Sequence, residues 1–129
     1  MNKFIKDKIR ITIDNIGSRM KKNICEISEV KYMECGYKES AELPGIDANW
    51  KSLKRGDFVG GRDRHYWLSC EIKTPCTEND EEVVLEMITG SRGTWDLENP
   101  QGLLYLDGKM VQGFDINHRY AYLESDRQY

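Results

Sequence analysis

Near the N-terminus the apolar residues fall at Phe4, Ile5, Ile9, Ile13, Ile16, Met20 and Ile24, a spacing that follows the helical period. This predicts an amphipathic helix over residues 4–24, with a break expected near Gly17. The β-branched run of Ile9, Ile11, Thr12 and Ile13 works against it, because such side chains lose rotamer freedom in a helix. From 28 to 61 the pattern loosens around Pro44, Gly45, Gly56, Gly60 and Gly61, which reads as irregular chain with one or two short strands. The period then changes to two. Tyr66, Leu68, Cys70 and Ile72 alternate with Trp67, Ser69, Glu71 and Lys73, predicting a strand with one inward face, stopped by Pro75. A solvated acidic loop, "TENDEE", leads into "VVLEMI" (83–88), apolar enough for a largely buried strand. "LLYL", "KMVQGF" and "YAYL" (120–123) predict three more strands.

Between "LLYL" and "KMVQGF" stands Asp107-Gly108. A type I′ hairpin turn needs positive φ at both central residues, and Asp followed by Gly tolerates it. Closely spaced strands with turn chemistry between them predict a mainly β fold: an antiparallel β-sandwich, of jelly-roll or galactose-binding-domain-like type, preceded by an N-terminal helix. The organisation expected is a helical segment at 1–24, an irregular linker with short strands at 25–64, and sandwich strands at 65–129.

The chain has 129 residues, 39% hydrophobic and 32% charged, enough for one domain with its own core. A net charge of -3 argues against nucleic acid as the partner, since release of counterions from phosphate needs a positive surplus. The charge is uneven. Lys3, Lys6, Lys8, Arg10, Arg19, Lys21 and Lys22 face only Asp7 and Asp14 in the first part of the chain, and 78–96 is mostly acidic. The basic segment reads as the solvated face of a helix. With no apolar leader and no run of membrane-spanning length, the expected location is the cytoplasm, with no membrane partner. Cys25, Cys35, Cys70 and Cys76 form no Cys-x-x-Cys pair and there are only two histidines, which reads as reduced structural thiols and no metal site.

The chain carries no phosphate loop, dinucleotide-binding glycine motif, nucleophile elbow or His-Glu-x-x-His. The polar knot "FDINHR" holds Asp115, His118 and Arg119. Strand alternation would put Asp115 and Asn117 on one side and His118 on the other unless a bulge intervenes. Asp-x-Asn is also a turn former, because both side chains reach nearby backbone amides, so the preferred reading is a turn that pins the end of the sheet. The other reading has His118 or Arg119 hydrogen-bonding a sugar hydroxyl or a carboxylate on a neighbouring domain. Trp95, beside Asp96 in a loop, is the aromatic best placed to stack on a sugar. Trp95, Asp96, Asp115, His118 and Arg119 are therefore the candidates for carbohydrate or domain-interface contacts.

"HYWLSCEIKTP" followed by "VVLEMITGSRGTWDLENPQGLLYLDGKMVQGFDINHRYAYL" resembles the N-terminal β-sandwich segment of the glycoside hydrolase family 38 α-mannosidases of bacterial and cytosolic type. The likeness runs from His65 to Leu123 and rests on "HYW", an acidic loop, a Trp-Asp turn, then "NPQ", "LYLDG", "QG" and "NHR" in that order. It implies a family whose members hydrolyse α-mannosides with retention, using an Asp nucleophile and a zinc ion held by His and Asp, all in a separate barrel domain after the sandwich. Retention requires two closely spaced carboxyl groups. The resemblance places none of that equipment in this chain, so no cofactor is expected here and the chain alone is expected to be inactive.

The leading expectation is a non-catalytic domain, or a fragment cut before the barrel, that packs on the catalytic domain of its own or a neighbouring chain. An open sheet edge and an uncovered apolar face would favour a homo-oligomer. The alternative is a free-standing jelly-roll module that binds a glycan through Trp95, Asp96, Asp115 and Arg119. A small enzyme in its own right lacks a convincing acid and base pair.

Overall fold

A computed structural model describes residues 3–22, 24, 27, 29–45, 47–78, 80–88 and 100–129. Helix α1 spans Lys3–Met20 and runs through Gly17 without a break, with Arg19 in its last turn, where a cation suits the helix dipole. It ends a turn earlier than the apolar spacing predicts. None of its residues is buried.

The strands form three small antiparallel sheets. In the first, β1 (Val30–Cys35) is central, flanked by β2 (Lys51–Leu53) and β3 (His65–Ser69). A paired guanidinium and carboxylate hold its edge: Arg64 donates through Nε and Nη2 to the two oxygens of Glu34, at 2.7 and 2.5 Å. The second sheet pairs β4 (Val83–Glu86) with β7 (Tyr120–Leu123), and the third pairs β5 (Gly102–Leu106) with β6 (Lys109–Phe114). The predicted strands at 103–106, 109–114 and 120–123 are therefore present. The pair of short strands within 28–61 is present as well.

Two features differ from the expectation. The strand predicted through Ile72 stops at Ser69. Beyond it, residues 72–75 run antiparallel to the last residues of the chain instead, with Ile72 and Tyr129 exchanging backbone bonds of 3.1 and 2.8 Å. Second, the sheets stay open and do not close on one another. They touch where Trp67 of β3 meets Tyr105 of β5, ring centroids 5.4 Å apart, and where the Gln112 amide of β6 donates to the Tyr120 carbonyl at 2.9 Å.

The physical reason is the small core. Val83 and Ala121 are the buried apolar residues among those described, and Thr74 is the buried polar one. Leu85, Leu123 and the inward residues of β5 are half-buried, whereas Leu68, Val84, Leu103, Val111 and Tyr122 are exposed. Val84 is thus on the open face of a strand expected to be largely buried. The two ribbons thus keep apolar side chains on an outward side, whereas the exposed positions of the first sheet, Leu68 apart, are polar or charged.

Candidate functional site

The site is built on the β5–β6 hairpin. Asp107 (φ 50°) and Gly108 (φ 78°) are the two loop residues between the paired Leu106 and Lys109, both with the positive φ that the turn demands. Farther from the turn the register shifts by one between Leu104 and Tyr105, which leaves Val111 as the extra residue of a bulge. At the open end Gly102 pairs with Phe114, and the Phe114 ring lies where a side chain on residue 102 would stand. An aromatic laid over a strand glycine covers backbone that would otherwise be bare.

Immediately after Phe114 the chain bends at residues 116 and 117. Oδ1 of Asp115 accepts from the backbone amides of Asn117 (2.7 Å) and His118 (2.8 Å), and Nδ1 of the His118 ring lies 3.0 Å from the same oxygen. The Asn117 amide first, then the His118 amide, hold the Asp115 carboxyl below the usual carboxylate range; burial opposes them, and the His118 ring adds a lesser lowering. Asp115 is therefore an Asx-turn residue. Simple strand alternation separates Asp115 from His118; the bend brings them together. With Nδ1 carrying the proton, the carboxylate orients the imidazole as it would in a catalytic dyad, but no second carboxylate or nucleophile among the described residues is bonded to it. The His118 ring is largely exposed.

A shallow open depression lies beside this pair, lined by Gln101, Gly102, Leu103, Gly113, Phe114, Asp115 and His118. Arg119 does not join it. Its guanidinium stands 5.9 Å from the Tyr120 ring centroid, and its carbonyl accepts from the Met87 amide at 2.8 Å, extending the β4–β7 ladder by one bond. Trp95 and Asp96 lie outside the described residues, so the proposed stacking pair has no position in this geometry.

Sequence reading missed the residues that fix the hairpin to the rest of the chain. Arg127 donates through Nη2 to Oδ2 of Asp107 at 2.8 Å and through Nη1 to Glu124 at 2.5 Å. Glu124 first, then Asp107, push the Arg127 guanidinium further above its ordinary value. Thr74, buried, takes the Arg127 amide on its hydroxyl oxygen at 2.8 Å, and the hydroxyl lies 2.7 Å from the Glu124 carbonyl. No local signal marks Thr74 or the reach of Arg127 to Asp107, since those contacts join residues 53 and 20 positions apart.

Among the described residues no three His, Cys, Asp or Glu side chains converge as metal ligands would. Cys35, Cys70 and Cys76 are free thiols. No described helix is long and apolar enough to cross a membrane. No protein-family model matches the chain, and comparison with curated proteins and with solved structures finds no match.

Proposed function

We propose that this chain is a non-catalytic, β-rich N-terminal segment of an α-mannosidase-like protein of the glycoside hydrolase family 38 kind. Its role is to pack against the catalytic barrel of the same or a neighbouring chain, to shape the rim of the active site and to support oligomerisation. In that setting the open sheets would complete a β-sandwich. The reading rests on the ordered residues from His65 to Leu123 that resemble that family. The observation that carries its non-catalytic half is the commitment of Asp115: the one carboxylate in the polar knot spends an oxygen on three bonds within its own turn. Glycoside hydrolysis with retention needs a pair of carboxyl groups about 5 Å apart, one to attack and one to protonate. A turn-locked carboxylate beside a lone imidazole serves position, not that chemistry.

The purified chain is tested in two arms. It is expected not to hydrolyse 4-nitrophenyl α-D-mannopyranoside with zinc supplied, and its tryptophan emission is expected not to respond to mannose or mannobiose. Zinc-dependent hydrolysis would make the chain an enzyme in its own right. A saturable change in emission would favour the free-standing sugar-binding module, because stacking on an indole changes its surroundings.

A further inference from the structure

We infer that α1 lies flat in the surface of a bilayer that carries anionic lipid, its apolar stripe in the acyl region and its lysines and arginines at the phosphates. The inference goes beyond the reading above, because α1 lies outside the residues that carry the family resemblance.

Helical spacing predicts a stripe that a folded domain would cover with its own sheets. The structure leaves that stripe bare. No residue of α1 is buried, and Ile5, Ile9, Ile13, Ile16 and Met20 are 48–78% exposed. At about 100° per residue these five fall within an arc of roughly 80°, along a helix about 27 Å long. Just past the helix, Lys21 donates to the Tyr120 hydroxyl, its ammonium 3.7 Å from that ring's centroid. This contact ties the C-terminal end of α1 to the β4–β7 ribbon without covering the stripe.

The charges select what covers it. Lys6 and Arg10 stand along one border and Arg19 and Lys8 along the other, roughly 60–100° from the centre of the stripe. Asp7 and Asp14 are about 140–160° away, at the opposite pole with Phe4 and Ile11. Lys8 rests with its ammonium 4.8 Å from the Phe4 ring centroid, so Lys6, Arg10 and Arg19 are the cations nearest the stripe. With Lys3 counted, the helix carries five cations against two carboxylates, on a chain whose net charge is -3.

A cation row on each side of a narrow apolar strip fits a plane. The strip enters the acyl region while the long side chains reach back to the phosphates, and the carboxylates at the far pole face water. An acidic protein groove would enclose more of the helix and bring its lining toward Asp7 and Asp14. The outward face of the β4–β7 ribbon on a second copy is the poorer fit, since Lys21 and Arg119 already stand at Tyr120. No described helix is apolar enough to cross the bilayer, so α1 would lie on it.

The test is flotation of the full chain with vesicles. Wild type is expected to float with phosphatidylcholine vesicles that contain phosphatidylserine, to stay behind with phosphatidylcholine alone, and to bind less in roughly 1 M sodium chloride. Lys6→Glu with Arg10→Glu is expected to weaken binding at least about twentyfold, each cation near an anionic surface being worth about fivefold. Ile13→Asn is expected to abolish flotation, whereas Ile11→Asn, the same change on the opposite face, should keep it. Wild type that does not float, equal binding to both vesicles, or equal losses from Ile11→Asn and Ile13→Asn would each overturn the inference. Wild type that ignores vesicles but self-associates, and becomes monomeric as Ile13→Asn, would assign the stripe to a second copy instead. A second measurement needs no variant: amide hydrogen exchange of the full chain with phosphatidylserine-containing vesicles should slow within residues 5–20 and stay unchanged in the β5–β6 hairpin. Slowing in the hairpin alone would contradict the inference. The hydrolysis and emission experiments contain no lipid, so the two readings fall separately.

Discussion

Arg127 holds Asp107, its Nη2 2.8 Å from Oδ2, so the first residue of the hairpin turn is tied to the end of the chain. The same guanidinium holds Glu124 at 2.5 Å, which makes it the junction between the third sheet and the strand end of the second. Both carboxylates and the guanidinium are partly exposed, where isolated ion pairs contribute little and salt weakens them. Arg127→Ala is therefore expected to lower the melting temperature slightly in low salt, and the difference should shrink in roughly 1 M sodium chloride, where the screening length is about 3 Å. Thermal melts at two ionic strengths check this; a difference that grows with salt contradicts it.

Thr74 is a stronger anchor because it is buried. Its hydroxyl sits between the Arg127 amide, the Glu124 carbonyl and the Arg127 carbonyl at 2.8, 2.7 and 3.0 Å. Thr74→Val keeps the shape and leaves the Arg127 amide without its acceptor, at a cost of about 1–3 kcal/mol. Thr74→Ser keeps the hydroxyl and is expected to lose far less. Urea unfolding of the two variants distinguishes a bonded hydroxyl from simple packing.

Gly102 has no room for a methyl group while Phe114 keeps its ring in place. Gly102→Ala is expected to destabilise the hairpin by about 1–3 kcal/mol through displacement of that ring. With Phe114→Ala already present the clash is gone, so the double variant should lose less than the sum of the singles. Additive losses in a denaturant-based mutant cycle would show that the ring is not the obstacle.

Asp115 gives a pH dependence with a definite sign. Its folded pKa is depressed by the Asn117 and His118 amides, so its contribution is fully present above the unfolded value of about 3.9 and is lost as the pH falls through the lower folded value. The melting-temperature gap between wild type and Asp115→Ala should begin to close below about pH 4, as the carboxyl takes up its proton. A gap that stays fully open down to about pH 2 would show that the Asp115 carboxylate does not carry it.

The local patterns were legible in the sequence because the forces behind them are local. Period two marked β3, short apolar runs marked β4 to β7, the helical spacing marked α1, and Asp107-Gly108 marked a turn whose backbone has the expected positive φ. Asp115 closing its own turn belongs to the same class, since its partners are two and three residues away. What alternation could not show was the bend that carries His118 back to Asp115. Nor could it show that 72–75 would pair with 126–129, or that Arg127 would reach Asp107, because neither composition nor period encodes a contact between distant segments. Closure into a sandwich was inferred from strand spacing, yet closure depends on how many side chains the faces can bury together. Val84, Leu103 and Tyr122 remain on open faces.

The central claim, that these ribbons are a platform for a catalytic barrel, is tested most directly by complementation. An α-mannosidase of glycoside hydrolase family 38 is prepared without its own N-terminal β-rich segment, and this chain is fused in its place. Zinc-dependent cleavage of 4-nitrophenyl α-D-mannopyranoside and the barrel's melting temperature are then measured with and without the fusion. Recovery of both, weakened when Asp107-Gly108 is replaced by a pair that cannot hold positive φ, is the result predicted. A barrel equally active and equally stable without the chain would contradict it.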